Sequence, residues 1–182
     1  KSIVDTDMSA ADGSFFLSVP RTGGHLAYAT REGYFVAHAV LQPSIAAGAV
    51  VKLSLVAYQV GEVVKTIHFD YKRADIKDGD RAELNEIVLF MDANPEASIE
   101  IASHTDCRGG SASNLALSQE RAKTSMDYIV QHKISPKRIT AKGFGEEMPV
   151  NACKDDSPCD ELLHAQNRRS EFRITAIQIE KK

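Results

Sequence analysis

The chain has no long apolar run. Nothing in it approaches the roughly 18 to 20 consecutive apolar residues that a membrane-spanning helix needs, so no transmembrane helix is expected. An excess of charge of one sign is missing too. Lys and Arg number 22 against 25 Asp and Glu, a net charge of -3 spread along the sequence. Without the basic excess that phosphate backbones attract, nucleic acid is set aside as a partner. Cysteine is scarce, with three in all. Cys153 and Cys159 stand close together in a polar loop and Cys107 lies far upstream, so one local disulfide plus one remaining thiol is the simplest arithmetic, and it suits an oxidising compartment. The opening Lys1-Ser2-Ile3-Val4 lacks a charged segment, apolar stretch and cleavage site, which reads as a leader already removed or as a fragment.

What is present is ordinary globular material. The 182 residues are 43% hydrophobic and 26% charged, enough for one medium domain or two small ones with a buried core in a soluble protein. Through about Gln42 the text is all-β in character, with turn signals at Asp12-Gly13 and Gly23-Gly24 before the apolar stretches Ser14 to Val19 and His25 to Ala29. From Pro43 to Tyr71 it is apolar and β-branched, and Val50, Val51, Leu53 and Leu55, then Val63, Val64, Ile67 and Phe69, predict strands broken at Gly61. A boundary is expected near Pro43 to Gly48, giving a β-segment over 1–43, a linker or strand over 44–59 and a main domain over 60–182.

Asp78-Gly79-Asp80 opens a predicted helix whose Leu84, Ile87, Val88 and Met91 share one face, and Asn94-Pro95 stops it. Ile99 and Ile101 alternate with polar neighbours, as in a strand. A second helix follows the loop 103–111, with Ser113 as expected cap and Leu115, Ala122, Met126, Ile129 and Val130 as expected core face. Strands are expected around Arg138 to Lys142 and over Glu171 to Ile179. The fold class is therefore α/β (α+β): a mixed sheet in the order βαβαβ-β with helices on one face.

The densest polar cluster, Ser103-His104-Thr105-Asp106-Cys107-Arg108-Gly109-Gly110, falls between a strand's C-terminal end and a helix N-terminus, where amide groups and the helix dipole favour an anionic group. Arg121, about two turns into the helix, shares a face with Asn114 and Leu117/Ser118 and leans back towards Asp106. A carboxylate and a guanidinium on one cleft either pair with each other as a structural ion pair or grip a zwitterion such as an amino-acid terminus. Arg168-Arg169, read alone, is a solvated basic pair or a clamp on a neighbouring carboxylate. His104 with Cys107, Cys153 and Cys159 supplies zinc-binding atom types, but not the spacing of a finger or ribbon. Gly143-Phe144-Gly145 reads as a plain turn, because it lacks a phosphate-loop ending. No catalytic motif joins Ser103, Ser111, His104 and Asp106, so no catalytic residue and no cofactor is expected.

His104-Thr105-Asp106, Arg108-Gly109, Asn114, Leu117-Ser118, Arg121-Ala122, Gly143-Phe144-Gly145-Glu146, Pro149 and Asn167-Arg168-Arg169 stand in the order and approximate spacing of the OmpA C-terminal family. With Phe69-Asp70 and Lys72-Arg73-Ala74, the resemblance runs from about residue 60 to 177. Departures are Ser103 for a usual glycine, Cys107 for a small polar residue and Phe144 for a frequent tyrosine. The resemblance implies a non-enzymatic binding module in the periplasm of a Gram-negative bacterium, associated with the outer membrane. It would hold the peptide stem of peptidoglycan through meso-diaminopimelate. Asp106 would accept the ammonium and Arg121 hold a carboxylate. Phe69 and Asp70 would line the other wall, with Thr105, Arg108, Asn114 and Leu117 around them and Arg168 in support. The Cys153 to Cys159 segment is similar to an insertion in one branch of the family and would staple the loop before the last strand by a disulfide.

Asp12-Gly13-Ser14-Phe15, Pro20, Gly24 and Arg31-Glu32-Gly33-Tyr34-Phe35 resemble the later half of a carboxypeptidase-regulatory-like domain, a small transthyretin-like sandwich, here without its opening strands. The pairing of the two resembles components that anchor a type IX secretion system to the cell wall. That leaves a structural, ligand-free assembly role beside the anchoring one.

Overall fold

The computed structural model describes residues 5–11, 14–18, 20, 25–29, 31, 34, 37–41, 50–54, 58–154 and 158–177. Among them, β1 (His25–Ala29) pairs antiparallel with β2 (Ala37–Leu41) as a two-stranded ribbon. The expected strand over Ser14 to Val19 is not formed at 14–18, and residues 50–54 carry no regular element. Val19, the turns Asp12-Gly13 and Gly23-Gly24, Leu55 and the expected boundary Pro43 to Gly48 lie outside the described residues, as does Gln178 onward.

The rest is a four-stranded mixed sheet with helices. In chain order it runs β3 (Val63–His68), α1 (Arg81–Ala93), β4 (Ala97–Ser103), α2 (Ser111–Gln131), β5 (Ile139–Gly143), α3 (Glu161–Asn167) and β6 (Arg169–Ile177). The sheet order is β3-β6-β4-β5, antiparallel except for the parallel β4–β5 pair. α1 packs on β3 and α2, and α2 on β4 and β5.

Period-2 alternation builds the sheet's inner face. Ile99 and Ile101 of β4 are fully buried and stand opposite Ile174 and Phe172 of β6, also fully buried. Leu84, Ile87 and Met91 of the stripe expected for α1 are buried over them, with Val88 half-buried beside them and Phe90, outside that stripe, buried as well. Truncating one of these large side chains, Phe172→Ala for example, removes contacts worth about 3–5 kcal/mol.

Three expectations need correction. α3 stands between β5 and β6, where no helix is expected. It is only seven residues long, too short to show an apolar period. Its start is marked instead by Asp160, whose side chain accepts the Leu163 N–H at 2.9 Å. The cap of α2 is Gly110, not Ser113, which lies inside the first turn. The inward face of α2 is largely polar: Asn114, Ser118, Arg121 and Ser125 are buried with Ala122 and Ile129, whereas Leu115 is 52% exposed. Of the five residues expected on the core face, Ala122 and Ile129 are buried and Met126 and Val130 pack against the core, so the correction is confined to Leu115 and to the polar residues that share the buried face.

The topology brings four chain ends together. β4 ends at Ser103, paired with Ser170 near the start of β6 and with Gly143 at the end of β5. His68 at the end of β3 pairs with Arg169. The segments that follow β3, β4 and β5, and the one that precedes β6, therefore share one margin of the sheet. Backbone hydrogen bonds tie them there: Phe69 N–H to the Arg168 carbonyl at 2.9 Å, His104 N–H to Arg169 at 2.8 Å, Thr105 N–H to Gly145 at 2.8 Å and Phe144 N–H to Ser103 at 2.9 Å.

Candidate functional site

Asp106 sits at this margin, 2% exposed. Its Oδ2 accepts from Arg168 Nη1 at 2.9 Å and from Arg108 Nη2 at 2.6 Å, and its Oδ1 accepts the Arg108 backbone N–H at 3.1 Å. Burial is the largest single influence on this carboxyl and opposes ionisation. The hydrogen bonds from Arg108 and Arg168 together outweigh it and hold the pKa below the usual carboxylate range. Of the two arrangements the sequence leaves open, a direct Asp106–Arg121 ion pair is not formed: the partners of Asp106 in the fold are Arg108 and Arg168.

Arg121 is fully buried and has a different task. Nε donates to the Arg73 carbonyl at 2.8 Å, Nη1 to His104 at 2.8 Å and Nη2 to Asp70 at 3.1 Å, while the Phe69 ring lies 4.9 Å beneath the guanidinium. Its planar fork thus joins the segments after β3 and β4. Burial, and then the field of Arg168, push its pKa down to about 10, which leaves it a cation at neutral pH.

Glu161 of α3 completes the electrostatics. It accepts from Arg168 Nη2 at 2.7 Å and Arg108 Nη1 at 3.0 Å, and the bond from Arg168 chiefly holds its carboxyl below the usual range. Tyr71 supports Arg108 from below, its ring centroid 4.1 Å from the guanidinium carbon. Three guanidinium groups face two carboxylates, so the constellation carries one net positive charge, next to the N-terminus of the 21-residue α2, whose dipole adds to it. Gly109, with φ of +110°, makes the turn from Arg108 into that helix.

The groups enclose a cleft of about 390 Å³. Of the residues singled out from sequence, Asp106, Arg121, Thr105, Arg108, Asn114, Leu117 and Arg168 line it. Phe69 and Asp70 do not. The Phe69 side chain is in the core at 2% exposure, while the Asp70 carboxylate faces solvent, 3.9 Å from Lys77 Nζ, and only its carbonyl serves the site. The wall they were expected to form belongs to the next two residues, Tyr71 and Lys72. Glu161 was also missed, because it lies on the unexpected helix.

His104 is not a ligand of this cleft. It is 2% exposed, stacks on Phe144 with centroids 5.5 Å apart, and has no hydrogen-bond partner for either ring nitrogen among the described residues. Burial, and then Arg169, push its pKa down to about 4, so it is a neutral core ring. Gly143-Phe144-Gly145 is the plain turn expected: Gly145 N–H donates to Ser118 Oγ at 2.8 Å, and a side chain at Gly143 would collide with the α2 backbone at Gln119. The expected disulfide joins Cys153 and Cys159, with Cα atoms 5.7 Å apart.

A family model described as the OmpA family matches residues 68–158. The chain belongs to the OmpA family. This OmpA-family chain is 35% identical over 95 residues to the peptidoglycan-associated lipoprotein of Legionella pneumophila, covering 52% of this chain and 51% of the lipoprotein. It is 35% identical over 118 residues to outer membrane porin F of Pseudomonas fluorescens, covering 65% of this chain and 35% of porin F. The crystal structure of the peptidoglycan-associated lipoprotein from Burkholderia pseudomallei superposes with a TM-score of 0.56 at 29% identity, covering 60% of this chain and 89% of that one. The cell wall anchor of the T6SS from Pseudomonas aeruginosa shares the fold, with a TM-score of 0.51 at 24% identity, over 61% of this chain and 79% of that one. The chain spans about half the length of the lipoprotein relative and about a third of porin F. Among the described residues no helix is long and apolar enough to cross a membrane.

Proposed function

We propose that this OmpA-family domain binds the stem peptide of peptidoglycan through meso-diaminopimelate. In this reading it tethers an outer-membrane-associated protein or complex, a type IX secretion machine being one such complex, to the cell wall in the periplasm. No bond is made or broken and no cofactor is needed. The names of its relatives, peptidoglycan-associated lipoprotein and cell wall anchor, support the reading.

The observation that carries it is a count of unused hydrogen-bonding positions. A carboxylate offers about four acceptor sites and a guanidinium five N–H donors. Asp106 accepts three hydrogen bonds, which leaves one position, and Arg121 donates three, which leaves one N–H on each Nη. The far end of a meso-diaminopimelate side chain carries an ammonium and a carboxylate on one carbon. The ammonium suits the remaining position on Asp106. The carboxylate suits the two donors of Arg121 and the positive end of α2. Lysine at the same stem position has the ammonium alone and forfeits the second contact.

A small polar ligand held by two ionic contacts binds with a dissociation constant on the order of 1 to 100 μM. Repeated stems on a cell wall raise the effective hold. The test is calorimetric titration of the folded chain with a meso-diaminopimelate stem peptide and with its lysine counterpart. Binding that favours diaminopimelate at least tenfold supports the proposal. No heat from either peptide would overturn it in favour of a ligand-free assembly role.

A further inference from the structure

Beside the cleft, three sulfur atoms and an imidazole meet. Cys153, 1% exposed, is bonded to Cys159. Cys107, the cysteine outside that bond, places its Sγ 3.9 Å from Cys153 Sγ. His164 Nδ1 lies 3.4 Å from the same sulfur. Cys107 is partly exposed and stands between Asp106 and Arg108, so it belongs to the loop that carries the site's charges. Cys159 immediately precedes Asp160, which caps α3, and Glu161, which clamps Arg108 and Arg168. None of these sulfur atoms takes part in the ligand contacts proposed above.

We propose that Cys107 and the Cys153–Cys159 disulfide form an internal thiol–disulfide exchange pair that moves the covalent staple onto the ligand-binding loop. Cys107 releases its proton to solvent, and its thiolate Sγ attacks Cys153 Sγ. A Cys107–Cys153 bond forms, the Cys153–Cys159 bond breaks, and Cys159 leaves as a thiolate that takes up a proton. One thiol and one disulfide exist before and after, so no oxidant or reductant is needed. The thiolate is the attacking species, so the step quickens as pH rises towards the thiol pKa.

The two bonded forms differ in what they hold. The present bond closes a loop with a sequence separation of 6, whereas the alternative joins residues 46 apart. The longer closure restricts the unfolded chain more. It would tie the loop of Asp106 and Arg108 directly to the segment before α3 and leave the start of α3, with Glu161, untethered. Exchange therefore re-sets the frame around the cleft without altering any residue that lines it. Cys107, Cys153 and His164 also offer ligand atoms within 4.8 Å of one another, a spacing soft metal ions accept. Cys153 sulfur is committed to Cys159, however, so a metal centre is an outcome of the test and not the inference.

The test reads the covalent bonds and does not depend on any ligand. Protein held at about pH 8.5, near the ordinary thiol pKa, is quenched with acid at intervals, alkylated with a maleimide at mildly acidic pH, digested without reduction and mapped by mass spectrometry. The expected result is a growing population in which Cys159 carries the label and Cys107 is linked to Cys153, reached more slowly at lower pH. In Cys159→Ser, treatment with oxidised glutathione should link Cys107 to Cys153 while circular dichroism stays unchanged. Label confined to Cys107 at every time, together with no crosslink in folded Cys159→Ser, would overturn the proposal. So would an unexchanged oxidised chain whose phosphine-reduced form binds one zinc ion and shields its thiols from the maleimide, which would make the cluster a metal centre.

Discussion

Arg168 Nη1 lies 2.9 Å from Oδ2 of Asp106 across a sequence separation of 62 residues. Both residues are at most 5% exposed. Arg168 also donates to the Phe69 carbonyl at 3.0 Å, so one guanidinium gathers the segments after β3 and β4 and the start of β6. Of the two readings open to Arg168 from sequence, a solvated cation or a clamp on a neighbouring carboxylate, the fold takes the second, and the carboxylate is the one on which ligand recognition is proposed to turn.

Replacing one side of a buried pair strands the other. Asp106→Asn is expected to lower unfolding free energy by about 3 kcal/mol, the low end for such a loss, because Arg168 keeps Glu161 and the Phe69 carbonyl. Urea titration at neutral pH measures this. The wild-type carboxyl is held below its ordinary pKa, so the stability it confers is complete above the unfolded value of about 3.9 and is lost as pH falls through the lower folded value. The variant should lack that part of the acid transition.

Arg121→Lys keeps a cation but not the fork. One ammonium cannot reach the Arg73, His104 and Asp70 carbonyls together in the guanidinium geometry. A loss of about 2–4 kcal/mol is expected from buried acceptors left short of donors, along with at least tenfold weaker binding of the diaminopimelate peptide. If affinity stays at the wild-type level in folded Arg121→Lys, Arg121 is architecture and not a ligand contact.

His104 supplies a pH signature. Its folded pKa of about 4 lies below the ordinary histidine value of 6.5, so the neutral ring favours folding above pH 6.5 and the advantage drains away as pH falls towards 4. The loss amounts to up to about 3 kcal/mol. His104→Leu, which cannot titrate, should show a flatter stability profile between those limits in chemical denaturation.

Glu161→Gln tests the charge balance. Removing this exposed carboxylate leaves Arg108 and Arg168 less neutralised, so an anionic stem peptide should bind about two- to fivefold tighter at low salt, with the gain fading as ionic strength rises. Titrations at two salt concentrations check it. Equal affinity at low salt would argue that Glu161 does not set the field of the cleft.

Much of this was legible in the sequence. Strands β4 and β6 announce themselves through Ile99/Ile101 and Phe172/Ile174, and α1 through Leu84, Ile87 and Met91. Seven of the nine expected site residues reach the cleft: Thr105, Asp106 and Arg108 on the loop after β4, Asn114, Leu117 and Arg121 on the first turns of α2, and Arg168 just before β6. What was not legible has physical causes. Arg121 satisfies backbone carbonyls, which leave no mark in residue type. Asn114, Ser118 and Ser125 are buried on α2 beside the expected Ala122 and Ile129, and apolar periodicity gives no sign of a buried polar residue. The wall expected at Phe69 and Asp70 lies two residues further on, at Tyr71 and Lys72, since nothing in residue type tells which of four successive positions faces a cleft. α3 is shorter than the window in which a helical period can be recognised.

The junction of β4, β6 and the segment after β3 also has a thermodynamic meaning. Asp106 and Arg121 are in register only while these segments are paired, so a ligand gripped by both binds the native chain and not the unfolded one. Occupancy is then itself a source of stability, rising by about 1.4 kcal/mol for each tenfold of ligand above the dissociation constant. A domain docked on a dense array of stems would resist local opening most where its grip is engaged, and a detached one would open more readily.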